Sequence, residues 1–130
     1  TPVPPYLTSM TAPWYKLEFF GDGGAYQAKV MVGDVDIRNW LNDPGVYTHY
    51  INGTTTINVY TGPSPNHHNW DHYVDKQRID LNPDFAHQTL TKIVLTDTGA
   101  DYSQRAMLYG VTVGAAPMAG GLPSLLLLLD

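Results

Sequence analysis

The chain contains no cysteine and a single glutamate, Glu18, among its 130 residues. The absence of cysteine excludes disulfide bonds, thiolate zinc sites and a cysteine nucleophile. Lysine, arginine, aspartate and glutamate together make up 15% of the residues, below the roughly one quarter that is usual in soluble domains. Because exposed helices are built largely from Glu, Lys, Ala and Leu, this composition argues against a helical protein.

Positive charge is also sparse. The seven basic residues are scattered along the chain, and the net charge is −5. The chain therefore lacks the cationic stripe that supplies most of the affinity for nucleic acid, and we expect no nucleic-acid partner. The longest apolar run is five leucines, far short of the roughly 20 residues of a spanning helix, so no membrane span is expected.

Thr, Asn and Gly are abundant instead, together with nine Tyr and ten Pro, which is typical of strands joined by turns. Alternation and turn signals predict about eight strands, at residues 14–19, 26–32, 35–37, 46–51, 54–61, 73–81, 90–96 and 105–113. Asn52-Gly53 is a strong hairpin signal between two of them. The alternating apolar positions predict an inward-facing core of Leu17, Phe19, Val30, Val32, Ile57, Val59, Ile93, Leu95, Leu108 and Val111.

Three stretches carry a family resemblance. Residues 30–37 (VMVGDVDI), with residues 90–99 (LTKIVLTDTG) and 106–113 (AMLYGVTV), resemble galactose-binding-like and malectin-like jelly rolls. The resemblance implies an all-β jelly-roll sandwich of about eight antiparallel strands over residues 14–113. Many such domains bind sugars, and many are structural appendages of larger assemblies. Residues 1–13 are then an extended proline-rich arm, and residues 114–130 a small-residue linker with an apolar terminal segment.

The richest polar cluster falls in a predicted loop at residues 62–72. Histidine is a common metal ligand and tryptophan can stack on a sugar, so the ligand-contact candidates are His67, His68, Trp70 and His72. No regular spacing here enforces the geometry of a zinc site. The alternative is an exposed polar loop in which Trp70 is a packing anchor.

Three aspartates, Asp22, Asp34 and Asp36, are weak candidate calcium ligands, because carboxylate oxygens suit that ion. Turn formation explains the same residues without an ion, since Asp initiates turns. We therefore expect no cofactor. The sequence Asn52-Gly53-Thr54 is also a complete N-glycosylation sequon, and an exposed hairpin tip is compatible with a glycan on Asn52.

No catalytic residues are predicted. A glycosidase needs two carboxylates across a cleft, whereas Glu18 alternates with apolar residues in one predicted strand and is expected to face solvent. None of the four serines lies in a nucleophile-elbow sequence. We therefore expect a protein that is not an enzyme.

The two ends of the chain carry the functional hypothesis. Five consecutive leucines, extended at about 3.3 Å per residue, match the length of a strand, and exposed on a monomer they would promote aggregation. They either fold back onto the same sandwich or complete the sheet of a neighbouring copy. The predicted assembly residues are Pro4, Pro5, Tyr6, Leu7, Leu125, Leu126, Leu127, Leu128 and Leu129.

These observations favour a structural subunit of an extracellular fibre or surface assembly, whose partners are other copies of itself. The alternative is a non-catalytic carbohydrate-binding module with a glycan as partner. An extracellular or cell-surface location is expected, because the Pro-rich start at Thr1 has the form left after a signal peptide is cleaved, or after a longer chain is trimmed.

Overall fold

A computed structural model describes residues 13–38, 50–64, 67–98, 108–114 and 124–129. Within these ranges seven strands form two antiparallel sheets, which confirms the all-β prediction. The strands are β1 (Pro13–Gly21), β2 (Tyr26–Val32), β3 (Thr56–Ser64), β4 (His67–Asp80), β5 (Leu90–Asp97), β6 (Leu108–Gly114) and β7 (Ser124–Leu129). A three-residue 3-10 helix, Pro83–Phe85, lies between β4 and β5.

The first sheet has the order β2-β1-β5, with β1 in the middle. Its alternating residues Tyr15, Leu17 and Phe19 are buried, as the period of two along a strand requires for one face of a sandwich. Leu17 pairs with Lys29 of β2 on one side and with Leu95 of β5 on the other. The predicted inward positions of Leu17 and Phe19 are confirmed.

Strand β2 faces the opposite way from the prediction. Val30 is exposed and Val32 is only half-buried, whereas Met31 is buried. The inner positions next to Met31 are occupied by Gln27 and Lys29, whose long side chains reach polar partners at the margin of the sandwich. Because side chains alternate along a strand, a shift of one residue turns the opposite face of the strand towards the core. In β2 the polar partners of Gln27 and Lys29 determine which face this is.

The second sheet has the order β3-β4-β7-β6. Its β4 residue Ile79 and the following Leu81 pack with Phe85 of the 3-10 helix against the first sheet. The buried apolar core consists of Trp14, Tyr15, Leu17, Phe19, Ala25, Met31, Ile37, Ile79, Leu81 and Phe85, and Leu90 and Ile93 pack against it partly buried.

Five further core predictions are wrong, because the corresponding side chains are exposed. Two of them are on β3, where Thr56 faces inward opposite the buried Gln77 and a register shift follows between Asn58 and Tyr60. One is on the edge strand β5 and two are on the edge strand β6. These residues are Ile57, Val59, Leu95, Leu108 and Val111.

The predicted loop at residues 62–72 is also wrong. Strand β3 continues to Ser64 and β4 begins at His67, so that Gly62 pairs with His72 and Pro63 with Asp71. Residues 35–37 form a turn with an isolated bridge between Gly33 and Ile37. Residues 50 and 51 are not in a strand, and the rest of the strand predicted at 46–51 lies outside the described residues.

A buried ion pair joins the segment after β2 to β4 of the second sheet. The Arg38 guanidinium donates through Nε and Nη2 to the two carboxylate oxygens of Asp75, both at 2.7 Å, with the two side chains 10% and 9% exposed. The same guanidinium lies 3.8 Å from the centre of the Tyr73 ring. Asn58 of β3 donates to Asp75 at 3.1 Å. Contacts of this bidentate, desolvated kind fix orientation as well as distance.

Asp36 makes a second polar link between the sheets. Its buried carboxylate accepts hydrogen bonds from Lys29 Nζ at 3.0 Å and from the Val32 amide at 3.2 Å. Its backbone carbonyl accepts from Thr56 Oγ1 of β3 at 3.0 Å, and Thr56 also contacts Gln77 of β4. Polar side chains therefore occupy this margin of the sandwich, and each is paired as a buried polar group must be.

Leu17→Ala is expected to lower the free energy of unfolding by about 2–5 kcal/mol, because a side chain that is 1% exposed leaves a cavity when it is removed. The matched control Val30→Ala, on the neighbouring strand, removes a side chain that is 45% exposed and is expected to cost less than about 1 kcal/mol. Urea unfolding measures both. If both variants lost the same free energy of unfolding, the inward facing of Leu17 and the outward facing of Val30 would be contradicted.

Candidate functional site

Strand β6 presents an exposed apolar surface. Its sequence, LYGVTVG, contains neither a charged residue nor a proline. The exposed fractions of Leu108, Tyr109, Val111 and Val113 are 47%, 58%, 40% and 53%. Monomeric proteins seldom expose apolar residues in a contiguous row, so a strand of this kind indicates a surface that meets a partner.

The position of β6 in the sheet adds a second property. Among the strands that the structure describes, β6 has one neighbour, β7, and lies at the end of the sheet. Its other backbone edge can therefore accept a further strand by main-chain hydrogen bonding. Sheet position and side-chain character make β6 the candidate functional site, which we call the β6 edge.

The other three edges carry features that discourage strand addition. Strand β3 has two register shifts and contains Pro63. Strand β2 has Lys29 at its centre, and β5 carries Lys92. Bulges, prolines and charged residues are the usual means by which natural sheets protect their edges. The β6 edge has one register shift, between Leu108 and Gly110, and none of the other features.

The row of side chains that forms the core continues onto β6 and becomes exposed there. Val111 pairs with Leu127, which pairs with the buried Gln77 of β4. Val113 is connected in the same way, through Leu125, to the buried Ile79. Because pairs across a sheet share a face, the described strands of the first sheet cover β4 on this face but not β6.

The predicted assembly residues Leu125, Leu126, Leu127, Leu128 and Leu129 all lie in β7. This strand pairs with β4 on one side and with β6 on the other, so the sandwich extends beyond residue 113. The leucine run thus forms an interior strand in the sheet of its own chain. This is the first of the two possibilities given by the sequence, folding back onto the same sandwich. Pro4, Pro5, Tyr6 and Leu7 lie outside the described residues.

The predicted ligand-contact residues lie on β4 and not in a loop. His67 and His68 begin the strand, and Trp70 and His72 are half-buried within it. His72 Nδ1 lies 3.2 Å from the Pro63 carbonyl oxygen, and its ring centre lies 5.3 Å from that of Tyr60. Tyr60 extends over Gly62, where a Cβ atom would collide with the Tyr60 ring. The result is a small aromatic surface of Tyr60 and His72.

Asn52 is exposed, as predicted, in a turn that its own side chain stabilises, and residues 50 and 51 before it are not in a strand. Its Oδ1 accepts hydrogen bonds from the backbone amides of Thr54, Thr55 and Thr56 at 2.8–3.0 Å. Its Nδ2 donates to Thr55 Oγ1 at 2.9 Å. Gly53 has a φ of 70°, which the turn requires and which glycine adopts without strain.

The three candidate calcium ligands have separate partners. Asp22 accepts from the Thr89 amide at 3.0 Å, Asp34 accepts from the Tyr50 amide at 3.3 Å, and Asp36 binds Lys29. Over the described part of the chain, no group of three His, Asp or Glu residues is placed to hold a metal ion.

Glu18 belongs to a network on the outer face of the first sheet. Its carboxylate accepts a hydrogen bond of 2.7 Å from the Tyr26 hydroxyl and lies 3.1 Å from Lys16 Nζ. The Tyr26 hydrogen bond, followed by that of Lys16, lowers the pKa of Glu18, and the same contact raises the pKa of Tyr26. Phe20 packs beside Tyr26 and beneath Lys92. Glu18 is thus held as an ionised acceptor by its neighbours.

Sequence reasoning missed the β6 edge and the Tyr60–His72 contact. The charge-free sequence of β6 was visible, but its position at the end of the sheet depends on the insertion of β7 from later in the chain. The contact between Tyr60 and His72 depends on the continuation of β3 and β4 through a stretch whose prolines predict a loop.

Comparison with known proteins gives no relative. No family model matches the chain, and neither a curated protein nor a solved structure matches it significantly. In the part of the chain that the structure covers, no helix is long and apolar enough to cross a membrane.

Tyr26→Phe is expected to raise the pKa of Glu18 towards its ordinary value of 4.5, because the hydroxyl hydrogen bond is the largest cause of the lowered pKa. The stability that Glu18 contributes is present above its unfolded pKa and is lost as the pH falls through the lower folded pKa, so the variant should lose less stability on acidification. Carboxyl-carbon NMR titration measures the pKa. Tyr50→Phe, distant in sequence, is the control, and an unchanged Glu18 pKa in Tyr26→Phe would contradict the assignment.

Proposed function

We propose that this protein is a structural subunit of an extracellular fibre or surface assembly, in which copies join through strand addition by the terminal segment. The observation that carries the proposal is the placement of β7. This strand follows all the other described strands in sequence, yet it lies between β4 and β6 and is paired along both edges.

A strand with this placement is suited to exchange between copies. The β7 strand of a second copy would make the same backbone pairs with β4 and β6, so exchange replaces each intramolecular pair with an identical intermolecular one. Residues 115–123 connect β6 to β7 with the sequence AAPMAGGLP. Fully extended, nine residues reach about 30 Å, enough to cross from one small domain to the next.

The energetic argument concerns what happens to the sheet without β7. Both β4 and β6 would then present unpaired edges, and β6 would lose its one described neighbour. Each backbone hydrogen bond contributes roughly 0.5–1.5 kcal/mol net, so a strand paired along both edges contributes several kcal/mol. A copy whose own β7 has left its sheet is therefore strongly driven to accept another.

The remaining parts of the proposal follow from the sequence and are compatible with the fold. The jelly-roll topology is proposed from the family resemblance. A non-catalytic role is proposed because Glu18, the single glutamate, is engaged with Tyr26 and Lys16. Asn52 is the proposed glycosylation site, since its turn is exposed. The extracellular or cell-surface location is proposed together with the fibre or surface assembly itself.

The test uses the absence of cysteine. Arg78 of β4 pairs with Leu126 of β7, and paired Cα atoms in an antiparallel sheet lie within the range that a disulfide bridges. Two single variants, Arg78→Cys and Leu126→Cys, are mixed, partly unfolded, refolded together and oxidised. Exchange of β7 predicts disulfide-linked heterodimers, because the two cysteines meet only when the β7 of one copy enters the sheet of another.

A matched control uses a pair that exchange of β7 does not affect. Lys16 of β1 pairs with Thr96 of β5 in the first sheet. Mixing Lys16→Cys with Thr96→Cys should give no heterodimer. The double variant Arg78→Cys/Leu126→Cys, oxidised within one chain, should hold β7 in place and abolish fibres seen by electron microscopy. Heterodimers at background level, or fibres from the locked variant equal to those of the parent, would overturn the exchange.

The second candidate is a non-catalytic carbohydrate-binding module, favoured by the aromatic surface of Tyr60 and His72. Tyr60 is 49% exposed and packs against a histidine, an arrangement that offers a ring face to a sugar. Tyr60→Ala should weaken binding about three- to tenfold when oligosaccharides are titrated and followed by tryptophan fluorescence. Trp70→Ala tests the predicted contact at that residue, and Tyr50→Ala is the exposed-tyrosine control. No fluorescence change with any sugar would remove this candidate.

A further inference from the structure

We propose that the β6 edge pairs antiparallel with the β6 edge of a second copy, about a twofold axis at Val111, so that the second sheet continues from one copy into the next. The occupant of this surface is therefore another copy of the chain. The inference adds a second contact to the proposed assembly, and it does not rest on the exchange of β7.

Charge is the first argument for a second copy. A strand that pairs with itself about a twofold axis brings the residue on the axis opposite its symmetry mate, so a charged residue at that position faces the same charge. Like charges directly opposite each other destabilise a strand pair. Strand β6 carries no charge, nor does its neighbour β7. On β2, by contrast, a twofold axis at the centre of the strand would bring Lys29 opposite its own copy.

The order of residues along β6 is the second argument. With the axis at Val111, the two copies of Val111 face each other, and Val113 of each copy lies beside Tyr109 of the other, at the register shift between Leu108 and Gly110. Valine–valine and aromatic–valine pairs are the cross-strand pairs that stabilise antiparallel sheets. The three residues are 40%, 58% and 53% exposed in the single chain, so all three have surface to bury.

The third argument is that β6 extends the inner face of the sheet beyond the part that the first sheet covers. Val111 and Val113 continue the rows of the buried Gln77 and Ile79, and no described strand of the first sheet covers them. A second copy placed across the axis doubles the width of this sheet, with four strands from each copy. The same contact pairs the outer backbone edge of β6 along a whole strand, which a small soluble ligand cannot do.

The principal test is carried out with β7 locked, so that exchange cannot contribute. In the oxidised Arg78→Cys/Leu126→Cys chain, sedimentation equilibrium should show a dimer that dissociates on dilution. Adding Val111→Lys should raise the dimer dissociation constant at least about tenfold, because two lysines then face each other across the axis. Val30→Lys is the matched control, since Val30 is an equally exposed valine on another edge strand, and it should leave the dissociation constant unchanged.

A second measurement reports the register. In the otherwise cysteine-free chain, Val111→Cys should form disulfide-linked homodimers on oxidation. Val113→Cys should not, because its two copies are offset by four residues along the strands, about 13 Å, beyond the reach of a disulfide. The measurement needs no change to β7.

The outcomes separate the two proposals. A locked chain that dimerises and responds to Val111→Lys supports the β6 contact even if mixed cysteine variants show no exchange of β7. A locked chain that stays monomeric up to about 1 mM overturns the β6 contact and leaves the exchange standing. Equal effects of Val111→Lys and Val30→Lys, or equal crosslinking at residues 111 and 113, also overturn it.

Discussion

The bidentate ion pair between Arg38 and Asp75 is the constraint on which the placement of the two sheets depends. Both side chains are almost fully buried, so each charge has to be compensated by the other. The fixed fork of the guanidinium allows one alignment of β4 relative to the segment that follows β2, and Asn58 extends that alignment to β3. Apolar contacts alone are non-directional, and they would tolerate small shifts of one sheet over the other. We interpret the polar margin of the sandwich, which also includes Lys29, Asp36 and Thr56, as the part that specifies how the sheets align.

The sequence predicted strands far better than it predicted their facing. The bounds of β2 matched the predicted range and those of β1 contained it, because Gly21–Gly24 interrupts two clear alternations. The facing of β2 was not accessible, since a period of two fits either side, and the partners of Gln27 and Lys29 lie elsewhere in the chain. Likewise, β3 turns Thr56 inward opposite the buried Gln77 of β4, so that Ile57 faces outward, and this facing depends on the partner strand. At the candidate site, the apolar character of β6 could be predicted from the sequence, whereas its position at the edge of the sheet could not.

The two contacts proposed for assembly differ in symmetry and in consequence. Reciprocal exchange of β7 closes a pair of copies, and self-pairing of β6 also closes a pair. Copies that make both contacts, each with a different neighbour, build an open row. The copy at each end of the row still has one of its two contact surfaces unused, so a further copy can bind there. The fold separates the two roles. The strand proposed to exchange, β7, lies in the interior of the second sheet. The strand proposed to pair with its own copy, β6, lies at the edge of the same sheet.

The late position of β7 in the sequence also determines when the sheet can form. As the chain emerges from the ribosome, β3, β4 and β6 are available before β7, which lies between β4 and β6. Until residues 124–129 arrive, β4 and β6 remain apart with two open backbone edges, and closing them requires contacts between residues 75–80 and 124–129, far apart in sequence. Such non-local pairings form slowly and leave a vulnerable intermediate. The order of strands thus gives each nascent chain a period in which its second sheet can accept a strand, its own or, in the proposed assembly, one from a finished neighbour.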